Sequence, residues 1–240
     1  MQALEALRAD LAADPVDRVV CLGDAIGYGA DPLPCLDWVR ESCAFSLMGN
    51  HEAGLLFHAE DFNERARAAI DWTRDQLNGA DEDASVRGDR WDWLGSLEES
   101  VVDGSVMFAH GSPRDPVREY LLPSDARREE KMAALFDAMG DSMMCFVGHS
   151  HVPGVYAQGG GYLKPKGDRS TYRRSDERVL VNIGSVGQPR DGDTRLSYAV
   201  QDGDRIEFRR LEYDVEGACA RIHETQGLPD ELGDRLMSGR

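Results

Sequence analysis

The chain has 240 residues, 44 acidic against 27 basic, for a formal charge of −17, and only three of its bases are lysines (Lys131, Lys164 and Lys166). That length accommodates one large core, no apolar stretch reaches the span of a bilayer, and the acidic balance opposes broad binding to nucleic-acid backbone. Cys21, Cys35, Cys43, Cys145 and Cys219 are odd in number and nowhere form CxxC, which argues against a disulfide framework or a zinc ribbon and for a reducing, cytoplasmic compartment.

MQALEALRAD reads as an amphipathic helix over residues 3–13, without the basic start and apolar run of a signal peptide. RVVCLG is a short apolar run that predicts a buried strand ending at Gly23-Asp24. DPLPCLDWVRESC follows as a helix with Asp31 as cap and Pro32 in its first turn, and AFSLMGNHE as a strand that breaks at Gly49. Helical spacing recurs over residues 62–78 and, more briefly, in RWDWLGSL. Two strands around VVDG and SVMFAH, a helix over 124–139 and the strand MMCFVGHSH come next. GVYAQ, RVLVNIG, RLSYAVQD and RIEFRRLEY read as strands, with Asp202-Gly203 as a hairpin turn, and helical patterns near 214–225 and 229–237 close the chain. GGGYLKPKGDRSTYRRSDER, residues 159–178, is glycine-rich and locally basic and reads as a solvated loop. The rhythm predicts one mixed, layered α/β domain without internal repeats.

The residues that follow the strands are Gly23-Asp24, Gly49-Asn50-His51, His110-Gly111 and Gly148-His149-Ser150-His151. Ends of parallel strands share one edge of a sheet, so these groups are expected to meet there. A carboxylate, an amide oxygen and neutral imidazoles suit borderline divalent ions such as Mn, Fe, Ni or Zn better than magnesium or calcium. An extended Ser150 would project His149 and His151 to one side, roughly 6–7 Å apart, a spacing that can serve two neighbouring ions. His58 and His223 fall outside this pattern, in helical stretches, and are read as structural.

GDAIGYG, GNHE, AHGSP, GHSHVP and NIGSVGQPRDGD, in this order, resemble the calcineurin-like metallophosphoesterases, most closely their small bacterial and archaeal phosphodiesterase-type branch, and the likeness runs over nearly the whole chain. The resemblance implies a four-layer α/β/β/α sandwich with two divalent ions at the strand ends. It also implies that Asp24 bridges the ions, that Asn50, His110 and His149 complete one ligand set, and that His151 serves the other ion. His51 resembles the family's non-ligating histidine, which steadies phosphoryl oxygens or protonates the leaving alkoxide, while a hydroxide held between the ions attacks phosphorus.

The family pattern opens with an apolar strand ending in Asp-x-His, ahead of a helix similar to MQALEALRADL. Here the sequence starts at that helix and contains no Asp-x-His. The expectation is therefore a single domain over 1–240 with its first strand missing, truncated at the amino terminus by roughly ten residues, about one strand and a turn. The ion served by His151 then keeps only His151 and the shared Asp24.

Arg114 in HGSPRDP and Arg190 in QPRDGD lie near ligand motifs and are expected either to bind phosphate oxygens or to form surface ion pairs, with the basic stretch 164–178 as a cationic rim. A small phosphodiester or nucleotide is the expected substrate, and a phosphoprotein a weaker choice. The rival from another class is a non-catalytic module that binds an anion or a protein through an incomplete metal site. A serine hydrolase is remote, because Ser185 in IGSVG lacks the GxSxG spacing. A carboxylate-rich surface with so little lysine also fits a high-salt cytoplasm, where ions screen self-repulsion.

Overall fold

The structure, a computed structural model, describes residues 1–59, 62–79 and 83–240. In chain order the first part comprises α1 (Gln2–Ala13), β1 (Val20–Cys21), α2 (Pro32–Ser42), β2 (Phe45–Ser46), α3 (Asn50–Leu56), α4 (Glu64–Leu77) and α5 (Ala84–Gly95). The middle holds β3 (Ser100–Asp103), β4 (Val106–Ala109), α6 (Glu129–Ala138), β5 (Met144–Val147), β6 (Gly154–Ala157) and β7 (Gly161–Leu163). Then come β8 (Arg169–Arg173), β9 (Val179–Asn182), β10 (Leu196–Asp202), β11 (Arg205–Leu211), α7 (Val215–His223) and α8 (Glu231–Asp234).

One sheet has six strands in the order β3-β4-β5-β9-β6-β7, and β4, β5 and β9 are mutually parallel. Facing it are the parallel pair β1-β2 and the antiparallel set β10-β11-β8. Alternation along β4 and β5 explains the layering. Val106, Phe108, Met144 and Phe146 pack between the sheets with Ile206 and Phe208. Their neighbours Met107, Ala109, Cys145 and Val147 turn to the other side, against Leu135 and Phe136 of α6. Both faces of these strands are buried, which is why their sequences read as unbroken apolar runs. On the opposite flank, Leu4 and Leu7 of α1 cover Leu196 and Tyr198 of β10, completing the four-layer α/β/β/α order.

β1 and β10 belong to separate sheets and form no ladder with each other. Between them lies a cavity of about 670 Å³, walled by Val20 and Leu22, by Tyr198 and Val200, and by Leu7 of α1, and reaching Asp24 at one end.

Several elements differ from the sequence expectation. Residues 159–178 hold two strands: β7 pairs with β6, and β8 pairs with β11, so tertiary pairing overrides a turn-rich, charged composition. The helix expected over 124–139 is a 3-10 turn at Pro123–Arg127 followed by α6. α5 begins at Ala84, well ahead of RWDWLGSL, and Asn50 and His51 open a helix, α3, that the strand-like run before them conceals. His58 lies just past the end of α3 rather than within a helix. Among the described residues no helix is long and apolar enough to cross a membrane.

Candidate metal centre

Asp24 follows β1, Asn50 and His51 follow β2, His110 follows β4, and His149 and His151 follow β5. The two sheets bring these ends to one edge of the sandwich. Gly49 makes the approach possible: a Cβ there would lie 2.2 Å from Asp24 Oδ1. Asp24, His149 and His151 have φ of 54°, 58° and 59°, and among the described residues they are the only non-glycine residues with positive φ. That region is strained for such side chains and persists only where the surroundings impose it. The Gly148-to-His151 segment is therefore a tight turn, with Ser150 N–H donating to the Gly148 carbonyl at 2.6 Å, and the extended Ser150 expected from sequence is not what aims the two imidazoles.

Hydrogen bonds to backbone fix which ring nitrogen faces the centre. His110 Nδ1 lies 2.8 Å from the Leu22 carbonyl and His149 Nε2 lies 3.0 Å from the Arg118 carbonyl. A carbonyl only accepts, so those nitrogens carry the hydrogens and leave His110 Nε2 and His149 Nδ1 as lone pairs. The two lone-pair nitrogens are 3.0 Å apart. Asn50 Oδ1 lies 3.1 Å and Asp24 Oδ2 3.3 Å from His110 Nε2. Four acceptors thus converge, at the spacing of about 3.0 Å that separates neighbouring ligands of an ion with ~2.1 Å bonds. Such a set repels itself unless positive charge sits among it. Asp24, His110 and His149 also form one of the two groups among the described residues able to hold an ion.

The titration of these groups follows the same electrostatics. Burial works against charge on His110, yet the adjacent Asp24 carboxylate raises its pKa above the usual imidazole value. Burial also opposes the charge on Asp24, but His110 and His51 hold its carboxyl far below the usual range. Burial and the neighbouring His110 push His149 down to about 4, which keeps it a neutral ligand near pH 7. A proton on His110 answers the demand for positive charge in part; a divalent cation answers it for all four atoms.

The model of the "Calcineurin-like phosphoesterase superfamily domain" matches residues 1–205. The chain belongs to the calcineurin-like phosphoesterases. It is 34% identical over 249 aligned positions to "Uncharacterized protein MJ0912" of Methanocaldococcus jannaschii, covering 100% of this chain and 94% of that protein. Its fold superposes on the crystal structure of a metallophosphoesterase from Sphaerobacter thermophilus with a TM-score of 0.83 and 36% identity, over 99% of this chain and 93% of that one. The fold is shared with hypothetical protein PH1004 from Pyrococcus horikoshii OT3, at a TM-score of 0.74 and 18% identity, over 100% and 94% of the two chains.

Beside the cluster this phosphoesterase has a cleft of about 220 Å³ lined by Asp24, Asn50 and His149 of the four donors and also by His51, His151 and Arg190, together with His58 and Tyr120. His151 stands apart from the cluster. Its Nδ1 donates to the Gln188 carbonyl at 2.6 Å, which leaves Nε2 as its lone pair, and burial holds its pKa well below the usual value, as does nearby Arg190. The His51 ring meets Tyr28 edge-on, centroids 4.4 Å apart, and burial lowers its pKa as well. Arg190 is braced by Gln188 Oε1 at 2.7 Å, sits 5.8 Å from the Tyr28 ring centre, and pairs with no carboxylate among the described residues. The structure does not bring Arg114 to the cleft: its guanidinium is ion-paired to Glu119 at the surface. The same holds for the expected cationic rim, where Lys164 pairs with Asp191 at 3.4 Å and Arg174 with Asp204 at 2.5 Å.

Two residues that brace the loops of the centre escaped the sequence reading. Glu52 is 1% exposed, and its carboxylate accepts the backbone N–H groups of Asp24, Ala25 and Gly49 at 2.8, 2.8 and 2.9 Å. It ties the loop after β1 to the loop after β2. Burial and the Asp24 charge push it up to about 7 against the pull of those amides. A signal existed: glutamate three places after Gly49 is the N3 acid of a capping arrangement. Asn182, at the end of β9, donates to the Gly148 carbonyl at 2.6 Å and to Ser150 Oγ at 2.9 Å, fixing the turn that carries both imidazoles.

Proposed function

We propose that this phosphoesterase hydrolyses a small phosphodiester or a nucleotide with one or two transition-metal ions, Mn, Fe, Ni or Zn. The observation that carries the reading is the convergence of four unshared lone pairs, from Asp24, Asn50, His110 and His149, beside a cleft that Arg190 enters. Asp24 and the three others would hold one ion, and Asp24 with His151 a second, less completely. A divalent ion there supplies Lewis-acid activation of water and of a phosphoryl oxygen. The protein's own part is to bind and orient. Arg190, held by Gln188 and Tyr28, offers its guanidinium to non-bridging phosphate oxygens. His51, neutral at rest and bordering the same cleft, would donate an N–H hydrogen bond to a phosphoryl oxygen, and would pass a proton to the departing oxygen only after first taking one up. A cleft of about 220 Å³ favours a compact ester over an extended phosphopeptide.

The second reading, a one-ion module that binds an anion without turnover, draws on the separation of His151 from the cluster. Metal content and hydrolysis of bis(p-nitrophenyl) phosphate on the manganese-loaded chain separate the two. Hydrolysis that His110→Ala lowers at least 100-fold supports the enzyme. One bound ion or none, with no hydrolysis above buffer, supports the module.

A further inference from the structure

Far along the chain from the phosphoesterase centre, a second set of metal-ligating atoms converges where the last helices meet. Cys219 and His223 stand one turn apart on α7, on one face. Asp234 closes the set from α8, and the three donor atoms lie within 4.8 Å of one another. His223 Nε2 is 3.7 Å from Cys219 Sγ, 3.1 Å from Asp234 Oδ1 and 3.1 Å from the Asp230 carbonyl oxygen. A tetrahedral ion with bonds of about 2.0 Å to nitrogen and oxygen and about 2.3 Å to sulfur sets neighbouring ligands about 3.3–3.6 Å apart. The observed separations bracket those edges.

The hydrogen-bond alternative serves the site poorly. Nε2 carries one hydrogen at most, so it can make one well-directed bond to the three atoms crowding it. The approach is also built into the backbone. Gly233 lets α8 press against α7: a Cβ there would lie 2.9 Å from His223 Nε2 and 3.0 Å from the Cys219 carbonyl oxygen. Cys219 is buried against this junction while His223 and Asp234 face solvent, which leaves the donors an open path for an ion to enter.

We infer that Cys219, His223 and Asp234 bind a zinc-class divalent ion that clasps α8 to α7, with water or the Asp230 carbonyl as fourth ligand. On binding, the thiol proton of Cys219 passes to solvent, the S–H bond is replaced by a thiolate–metal bond, and no redox change occurs. The role is structural. α8 and the turn after it carry Leu232 and Leu236 into the cluster that includes Ala30 and Ala69, and place Arg235 5.9 Å from the Tyr28 ring centre.

Cobalt(II) spectroscopy tests the site independently of the phosphoesterase centre, which contains no thiol. Titrating the full chain with cobalt should give a thiolate-to-metal charge-transfer band in the near ultraviolet. The band should persist in His110→Ala and vanish in Cys219→Ser. Zinc should raise the melting temperature of His110→Ala by several degrees and leave that of His110→Ala/Cys219→Ser unchanged; His223→Gln in place of Cys219→Ser should act likewise. No charge-transfer band in the unaltered chain, or a band that survives Cys219→Ser, overturns the proposal whatever the outcome at the phosphoesterase centre.

Discussion

Glu52 gathers three backbone amides from two loops onto one buried carboxylate, and those loops carry Asp24 and Asn50. Outer-sphere partners of this kind typically change metal affinity ~10–100-fold when removed. Glu52→Gln should therefore weaken manganese binding by about tenfold or more in isothermal titration, with the far-ultraviolet spectrum preserved; unchanged affinity would reduce Glu52 to a helix cap. The convergence of Asp24, Asn50, His110 and His149 was legible because acids, amides and imidazoles recur after apolar runs, at the strand ends that share one edge. Glu52 and Asn182 were hidden because their partners are backbone groups far off in sequence. Arg114 shows the converse: proximity to a motif in sequence does not fix where a long side chain points, and Glu119 five residues later captures it.

Among the elements, α1 is fastened to the sheet by a charged network as well as by its apolar face. Arg209 of β11, only 5% exposed, donates to Asp10 at 3.1 Å and Asp14 at 2.7 Å on or beside α1 and to Glu207 at 2.7 Å. Removing one partner of a buried ion network leaves the others uncompensated, so Arg209→Met should cost about 3 kcal/mol in urea unfolding at pH 7. Burial alone would raise Asp10 and Glu207, but Tyr198 and Arg209 hold Asp10 below its ordinary 3.8, and Arg209 holds Glu207 below 4.5. Their contribution is then full above those ordinary values and is lost as pH falls through the depressed ones. The acid loss of stability between about pH 5 and 3 should be shallower in Arg209→Met; an equal slope would mean that the network adds no linkage. The strands β4, β5, β9, β10 and β11 were legible as apolar or alternating runs. β7 and β8 were not, since composition in residues 159–178 argues for solvent and only pairing with β6 and β11 orders them.

For the whole molecule, charge and cavity make distinct demands. With a formal charge of −17, the folded state repels itself, and at 1 M salt the screening length falls to about 3 Å. The melting temperature should climb steadily from 0.1 to 2 M KCl; a flat or falling curve would remove the case for a high-salt interior. The 670 Å³ space between β1 and β10 is lined largely by apolar side chains, so the native chain should enhance the fluorescence of anilinonaphthalene sulfonate, and a buffer-like signal would show that the two strands close on each other in solution. The four-layer order followed from the motifs' resemblance to a known family, whereas the cavity depends on which strand edges meet, which no local pattern encodes. Anomalous diffraction from crystals soaked in manganese bears most directly on the central claim. A peak within about 2.0–2.4 Å of Asp24, Asn50 Oδ1, His110 Nε2 and His149 Nδ1 is the predicted result; no peak among those four atoms, in crystals that show manganese elsewhere, would contradict it.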